Sequence, residues 1–328
     1  MRARSPPGPS PHDPPRVWPE GIDGHPAHPY DLETLDFDRL WAGREKTTAL
    51  EAEVVRRAIV GAEGPRVLEV GPGGGRITPV LRRKFEEYVG VDLTGGFLDE
   101  LRARDPSLRW LFRADVESLP FVDASFSAVS MIRVYNFLLH PERAIREMYR
   151  VLEPGGLLIL SYHHVPSLGT LFEDVRNCLK DPRPVGFVPV TLSRKELLLP
   201  RRARVRQMIR SAGFQIASER ATGLEDFGPG RWLPITTLVG LAEATSHSSL
   251  LPHRFLTARK PGLPRRPPAG IGSIVRCPDC SVGWVGAVPG AEVPERCPGC
   301  GRRSTASPAG IPSLLPTGSG GPADRASH

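Results

Sequence analysis

Residues 67–78 read VLEVGPGGGRIT, an apolar run that stops at glycines and restarts as a helical pattern. Few local patterns constrain a fold more. Without side chains, the backbone at Gly71, Gly73 and Gly75 is free to take left-handed dihedrals and to approach a ligand closely. The helix that follows presents free N–H groups to a negatively charged group. A strand feeding such a loop is one unit of an open parallel sheet, and the chain repeats that unit.

PRVLEV (65–70), EYVGVDL (87–93), LRWLFRAD (108–115), SFSAVSMI (125–132) and LLILSY (157–162) read as five short apolar strands. Between them, Ile77/Val80/Leu81, FLDELRAR (97–104) and PERAIREMYRVL (141–152) carry helical spacing, the last with Pro in its first turn. Upstream, Leu50, Val54, Val55, Ala58 and Ile59 make residues 45–61 an amphipathic helix. Downstream, 200–214 reads as a helix, while FQIASERA (214–221) and RFLTARK (254–260) read as strands. Residues 163–200 and 222–252 lack a clear period. Strands alternating with helices give an α/β fold with a doubly wound, mostly parallel sheet of about seven strands.

Composition locates the ends. The chain has 328 residues, with 36 Pro and 34 Gly, many of them near the termini. The expected organisation is a disordered leader (1–28), a main domain (29–262), a Pro-rich linker (263–273), a small C-terminal domain (274–316) and a low-complexity tail (317–328). No apolar run reaches the length of a membrane-spanning helix, and the N-terminus has no signal-peptide core. A cytoplasmic location with reduced thiols is expected. The net charge is +7. Residues 194–210 hold seven Lys/Arg against one Glu, and 261–328 hold seven Arg against four acids. That local excess fits an anionic partner such as nucleic acid, or it reflects arginine-rich usage with no partner at all.

Four of the five cysteines form two Cys-x-x-Cys pairs, Cys277/Cys280 and Cys297/Cys300. This spacing is a zinc signal, and four thiolates make a closed structural site. The segment has few large apolar residues, so it needs its metal to fold. Cys178 stands outside the set, as a plain thiol.

The glycine run, read as E-x-G-x-G-x-G from Glu69, resembles motif I of class I S-adenosylmethionine-dependent methyltransferases. LPFVDASFSAVSM (119–131) and LEPGGLLIL (152–160) resemble two further signatures of that family, and the resemblance covers roughly residues 65–162. It implies cofactor contacts at Glu69, Gly71, Gly73 and Gly75. Asp92 would take the ribose hydroxyls and Asp115 the adenine amino group, with Leu93 and Val116 beside them. Asp123 is expected in a turn role. Within the family the chain looks closest to the ubiquinone/menaquinone-biosynthesis-like branch, whose acceptors are small molecules. Methyl transfer from a sulfonium needs mainly alignment and a dry pocket. A base is needed only if the nucleophile must lose a proton. His163, His164 and Tyr135, near the ends of the fourth and fifth strands, are the candidates. Relatives often place an acid near Asn136; its absence here argues against a base at that point.

FDRLWAGREK (37–46), with Tyr30 before it, resembles an N-terminal stretch that forms a lid over the cofactor in some bacterial relatives. Arg44 would then reach the cofactor's carboxylate, or simply lie at the surface with Trp41 packed as core. CPGCGRRSTASPAGIPSLLP (297–316) resembles small zinc ribbons of a methyltransferase-activator family, which bind and stabilise a methyltransferase. A short linker would give such a ribbon a high effective concentration for its own chain. Arg296, Arg302 and Arg303 also leave nucleic-acid docking open, as in an RNA or protein methyltransferase. A third reading is a non-catalytic cofactor-binding interaction protein.

Overall fold

The computed structural model describes residues 41–138, 140–164, 187–192, 195–226, 228–245, 251–263, 270–283, 296–303 and 305–315. The leader (1–28), Tyr30, Cys178 and the tail (317–328) lie outside them, as does most of the linker.

The main sheet is built from β1 (Arg66–Val70), β2 (Glu87–Asp92), β3 (Leu111–Arg113), β4 (Phe126–Met131), β5 (Leu152–His163), β8 (Gln215–Thr222), β9 (His253–Arg259), β10 (Thr305–Ala306) and β11 (Pro312–Ser313). β6 (Phe187–Leu192) and β7 (Lys195–Pro200) pair with each other as a separate antiparallel hairpin. The order across the main sheet is β10-β11-β3-β2-β1-β4-β5-β9-β8. β1 to β5 are mutually parallel, and β9 runs antiparallel to both β5 and β8. Seven of these nine strands match the sequence expectation. The other two come from the C-terminal segment, which joins the main sheet instead of standing apart from it.

Every residue of β1 and β4 is buried, as it must be for parallel strands covered on both faces. One face packs α4 (Pro141–Val151) and α5 (Arg202–Ser211). The other packs α1 (Glu45–Ala58), α2 (Thr78–Lys84), α3 (Gly95–Arg104) and α6 (Ile235–Ala244). The pattern in α4 shows why: Ala144, Ile145, Met148 and Val151 are buried along one stripe. Pro154, Gly155 and Gly156 fall inside β5 and form its irregular start. The register with β4 shifts between Phe126 and Ala128.

The C-terminal segment pairs with β3 and with residues 120–122 of the loop after it. Ser313 pairs with Arg113 in a parallel bridge, and the Leu314 N–H donates to the Arg113 carbonyl at 2.7 Å. Val275 bridges Phe121, flanked by Val122 N–H to Ile274 O at 2.8 Å and Arg276 N–H to Pro120 O at 2.9 Å. The side chains follow the backbone. Ile271, Ile274, Val275 and Leu314 enter the core on the α4/α5 face with Phe112 and Phe121. Ile311 enters the opposite face beside Leu101 and Leu111. Ile271 is buried although the linker was expected to run to residue 273.

Truncating Ile274 removes a fully buried side chain from this seam. Ile274→Ala should cost about 2–4 kcal/mol, read as a lower urea midpoint of a single transition for the whole chain. Loss from a separate early transition, with the main one unmoved, would contradict the shared core.

Candidate functional site

The glycine loop leaves β1 in the conformation its composition suggests: φ is +68° at Gly71, +51° at Gly73 and +82° at Gly75. The close packing is as restrictive as the dihedral. A Cβ on Gly71 would stand 2.3 Å from Val134 Cγ2, and one on Gly75 2.6 Å from Leu101 Cδ1. The loop therefore nests against the turn after β4.

Glu69 is buried on β1 and accepts from Tyr88 Oη at 2.6 Å and Thr78 Oγ1 at 2.7 Å. Burial pushes its carboxyl pKa up, against those two hydrogen bonds. Asp92 closes β2 with its carboxylate turned to the loop, accepting from Gly73 N at 3.4 Å and Thr94 N at 3.0 Å. Burial raises its pKa to about 6, opposed by those backbone donors. Leu93 follows it, and its carbonyl accepts from Arg113 Nε. Asp115, just past β3, accepts from the Glu117 N–H at 2.8 Å and so caps a short 3-10 turn that Val116 begins. Burial raises its pKa as well. These acids and glycines lie at the C-terminal ends of β1, β2 and β3, where ligands of open α/β sheets sit. Asp123 pairs with Arg150 at 2.9 Å in the turn before β4, as its expected structural role requires.

The other half of the sheet end holds a buried polar cluster. Glu51 of α1, fully buried, accepts from Arg76 Nη2 at 2.9 Å and from Arg133 Nε at 2.7 Å and Nη2 at 2.5 Å. The Arg76 guanidinium lies 3.4 Å from the centroid of the Trp41 ring, with Arg133 at 5.5 Å and Arg44 at 5.8 Å. Arg133 Nη1 meets His163 Nε2 at 2.6 Å, and the His163 ring stacks on His253 at 4.6 Å. His253 Nδ1 is 3.0 Å from Thr222 Oγ1 and 3.5 Å from Glu51 Oε1. Burial first, and Arg133 second, push both imidazoles well below the usual histidine range.

Backbone geometry fixes this cluster. Arg133 has φ +65°, a strained value for a side-chain-bearing residue. Its N–H donates to the buried Ser161 Oγ at 2.8 Å. Asn136 clamps the His163 backbone from both sides, donating to its carbonyl at 3.0 Å and accepting from its N–H at 2.8 Å. A sequence reading finds no acid at Asn136; the structure gives it a tethering task instead.

The three base candidates separate. His163 joins the cluster, but its Nε2 already faces a guanidinium. His164 is fully buried and meets the Leu251 carbonyl at 2.9 Å and Arg254 Nε at 3.3 Å, a core position. Tyr135 packs against Tyr162 on the α4/α5 face, away from His163. Its hydroxyl is buried with no hydrogen-bond partner among the described residues, and burial raises its pKa well above 10. Glu51, Arg76 and His253 were not singled out from the sequence. Glu51 carried a usable signal, because it sits on the apolar stripe of α1 between Leu50 and Val54.

The four cysteine Sγ atoms lie within 4.8 Å of one another. Cys277–Cys300 is 3.7 Å and Cys280–Cys297 3.5 Å, close to the roughly 3.8 Å separation of thiolates around a tetrahedral zinc. The two knuckles repeat one geometry, with a positive φ four residues after each first cysteine, at Ser281 and Gly301. The donor set fits zinc, and Cys277, Cys280, Cys297 and Cys300 are the residues that would hold it.

Residues 68–160 match the family model described as a methyltransferase domain. The chain is 30% identical over 138 residues to a demethylmenaquinone methyltransferase of Clavibacter sepedonicus, covering 41% of this chain and 52% of that protein. It is 27% identical over 158 residues to a malonyl-[acyl-carrier protein] O-methyltransferase of Serratia marcescens, covering 47% of this chain and 62% of that one. The chain thus spans between half and two thirds of these relatives' lengths. Among solved structures, it is similar to a Leishmania major S-adenosylmethionine-dependent methyltransferase, at 13% identity and TM-score 0.48, covering 68% of this chain and 76% of the other. It is also similar to a chain of the complex containing the Haloferax volcanii Trm112 methyltransferase activator, at 18% identity and TM-score 0.47, covering 69% and 95%. What the chain shares with these proteins lies mainly in the stretch that matches the methyltransferase-domain model.

Purified protein should contain one zinc per chain by metal analysis, and Cys297→Ser should lose most of it. Full zinc in that variant would contradict the four-thiolate site.

Proposed function

We propose that the protein is an S-adenosylmethionine-dependent methyltransferase acting on a small molecule, with a C-terminal structural zinc ribbon that serves its own chain. The observation that carries this is the left-handed glycine loop facing the Asp92 carboxylate. Glycines at 71, 73 and 75 leave room for the cofactor's methionine half, and Asp92, one strand over, offers two acceptor oxygens to a ribose diol. Asp115 uses one oxygen as a cap and has the other for the adenine amino group. Leu93 and Val116 follow the two acids in the same cleft. Glu69 is tied to Tyr88 and Thr78, so its part is to shape the loop beneath the sulfonium. The bound cofactor supplies an activated methyl group; the protein's task is to align it and keep water out.

The small-molecule reading is supported by the quinone and acyl-carrier names of the sequence relatives. The basic stretch does not favour nucleic acid: Arg202 and Arg206 both pair with Glu219, and Arg204 pairs with Glu142. Intramolecular docking of the ribbon is supported by the shared seam at β3. No helix among the described residues is long and apolar enough to cross a membrane.

Calorimetry should show S-adenosylmethionine binding that is at least about tenfold weaker in Asp92→Ala. Since burial raises the Asp92 pKa to about 6, and a ribose diol is accepted only by the ionised carboxylate, affinity should hold above pH 7. It should fall as the pH drops through 6, and the fall should be absent in Asp92→Ala. No binding by the wild type, with the variant indistinguishable, would overturn the enzyme reading.

A further inference from the structure

None of the three histidine and tyrosine candidates is free to take a proton, yet the sheet end holds a fourth group of that kind. His253 opens β9 and pairs in register with His163 at the end of β5. In the order β1-β4-β5-β9 it stands three strands from the glycine loop, about 14 Å at the usual strand spacing. That separates it from the methionine end of the cofactor. It lies on the side from which a second reactant approaches, because the acids assigned to the nucleoside close β2 and β3.

The charges of this neighbourhood match one another. Arg76 and Arg133 both contact Glu51, and Glu69 acts on Arg76 as well. No further ion is called for, and what remains is one lone pair. The His253 ring is held between the stacked His163 ring at 4.6 Å and the edge-on Phe255 ring at 4.9 Å. Its Nδ1 faces two oxygens, Thr222 Oγ1 at 3.0 Å and Glu51 Oε1 at 3.5 Å. Glu51 accepts from two guanidiniums and meets Nδ1 as an acceptor too. It therefore favours the hydrogen on Nδ1, where Thr222 Oγ1 also accepts it. Nε2 is then a bare acceptor. It is buried and has no hydrogen-bond partner among the described residues. Buried polar atoms normally have one, and a lone pair is satisfied only by a donor.

We propose that His253 is the general base of the methyl transfer, and that the acceptor is a phenol or enol whose O–H donates to Nε2. This rests on the methyltransferase reading and gives it a base and a substrate class. As the acceptor oxygen attacks the methyl carbon, a C–O bond forms and the C–S bond breaks, its electron pair staying on sulfur. The hydroxyl proton passes to Nε2. The positive charge that the sulfonium loses reappears on the imidazolium, so the net charge of the site is unchanged. Glu51 is a positioning residue, because it sets the tautomer that leaves Nε2 bare. The charged and titratable groups around the ring are Glu51 on α1, Arg76 after the glycine loop, Arg133 after β4, and His163 and His164 at the end of β5. Burial first, and Arg133 next, hold the imidazole well below the usual histidine range. The unprotonated form that a base requires is thus the one present at neutral pH.

The test is methyl transfer from S-adenosylmethionine to two phenols: 4-methoxyphenol at neutral pH, and 4-nitrophenol at alkaline pH, where it ionises unaided. The wild type should methylate both. His253→Gln should lose about 100-fold or more on 4-methoxyphenol and less than about threefold on the ionised 4-nitrophenol. It should bind S-adenosylmethionine as tightly as the wild type does, which also shows that it folds. An equal loss on both phenols would make His253 structural and overturn the proposal. So would no loss on either, weaker cofactor binding in the variant, or no transfer to 4-methoxyphenol by wild-type protein that binds the cofactor. Should the variant not fold, nitrogen NMR of isotopically labelled wild type decides. At neutral pH His253 should be neutral with its hydrogen on Nδ1, and an Nε2–H tautomer or an imidazolium would overturn the assignment. If the wild type binds no S-adenosylmethionine, the methyltransferase reading itself has failed, which is a different result.

Discussion

A sheet has two edges, and one edge of the β1–β5 ladder is a strand only three residues long. β3 ends at Arg113, two residues before Asp115, whose carboxylate caps the 3-10 turn that follows. A three-residue strand cannot protect its own outer hydrogen bonds or both of its faces. The C-terminal segment supplies what is missing: the β11 bridge, Ile274, Val275 and Leu314 on one face, and Ile311 on the other. The cysteine cluster anchors that segment, since Cys277 and Cys297 are themselves part of the buried core. The cysteine-bearing segment is thus tied to the strand end that leads to Asp115, and through β2 to Asp92.

The sheet end divides into two electrostatic halves. On the β1–β3 side, two carboxylates face a glycine loop, and burial raises the pKa of each. On the β4/β5/β9 side, arginines gather around Glu51 and two neutral imidazoles. The halves meet where Gly71 packs on Val134, a contact that leaves no room for a side chain.

Much of this was legible in the sequence because local chemistry announced it. The strand–glycine–helix unit, the acids at strand ends, the proline-started α4 and the paired cysteines each carry a local physical signal. What was not legible depends on distance. β11 is Pro312–Ser313, two residues with no strand pattern, and its Ser313 pairs with Arg113 of an edge strand 200 positions earlier. Glu51 reads as one more charge on an amphipathic helix until Arg76 and Arg133, from separate loops, are seen to share it. His253 sits at the first residue of β9, just outside the apolar run that marked the strand. The basic stretch was visible as charge, but its partners, Glu142 and Glu219, lie on other elements.

The C-terminal cysteine segment holds the β3 edge of the main sheet. Hydrogen–deuterium exchange before and after removal of zinc by a chelator tests it directly. Peptides covering residues 111–123 should lose protection together with the cysteine knuckles, while β5 and β9 remain protected. Unchanged exchange at 111–123 after the knuckles have opened would contradict it.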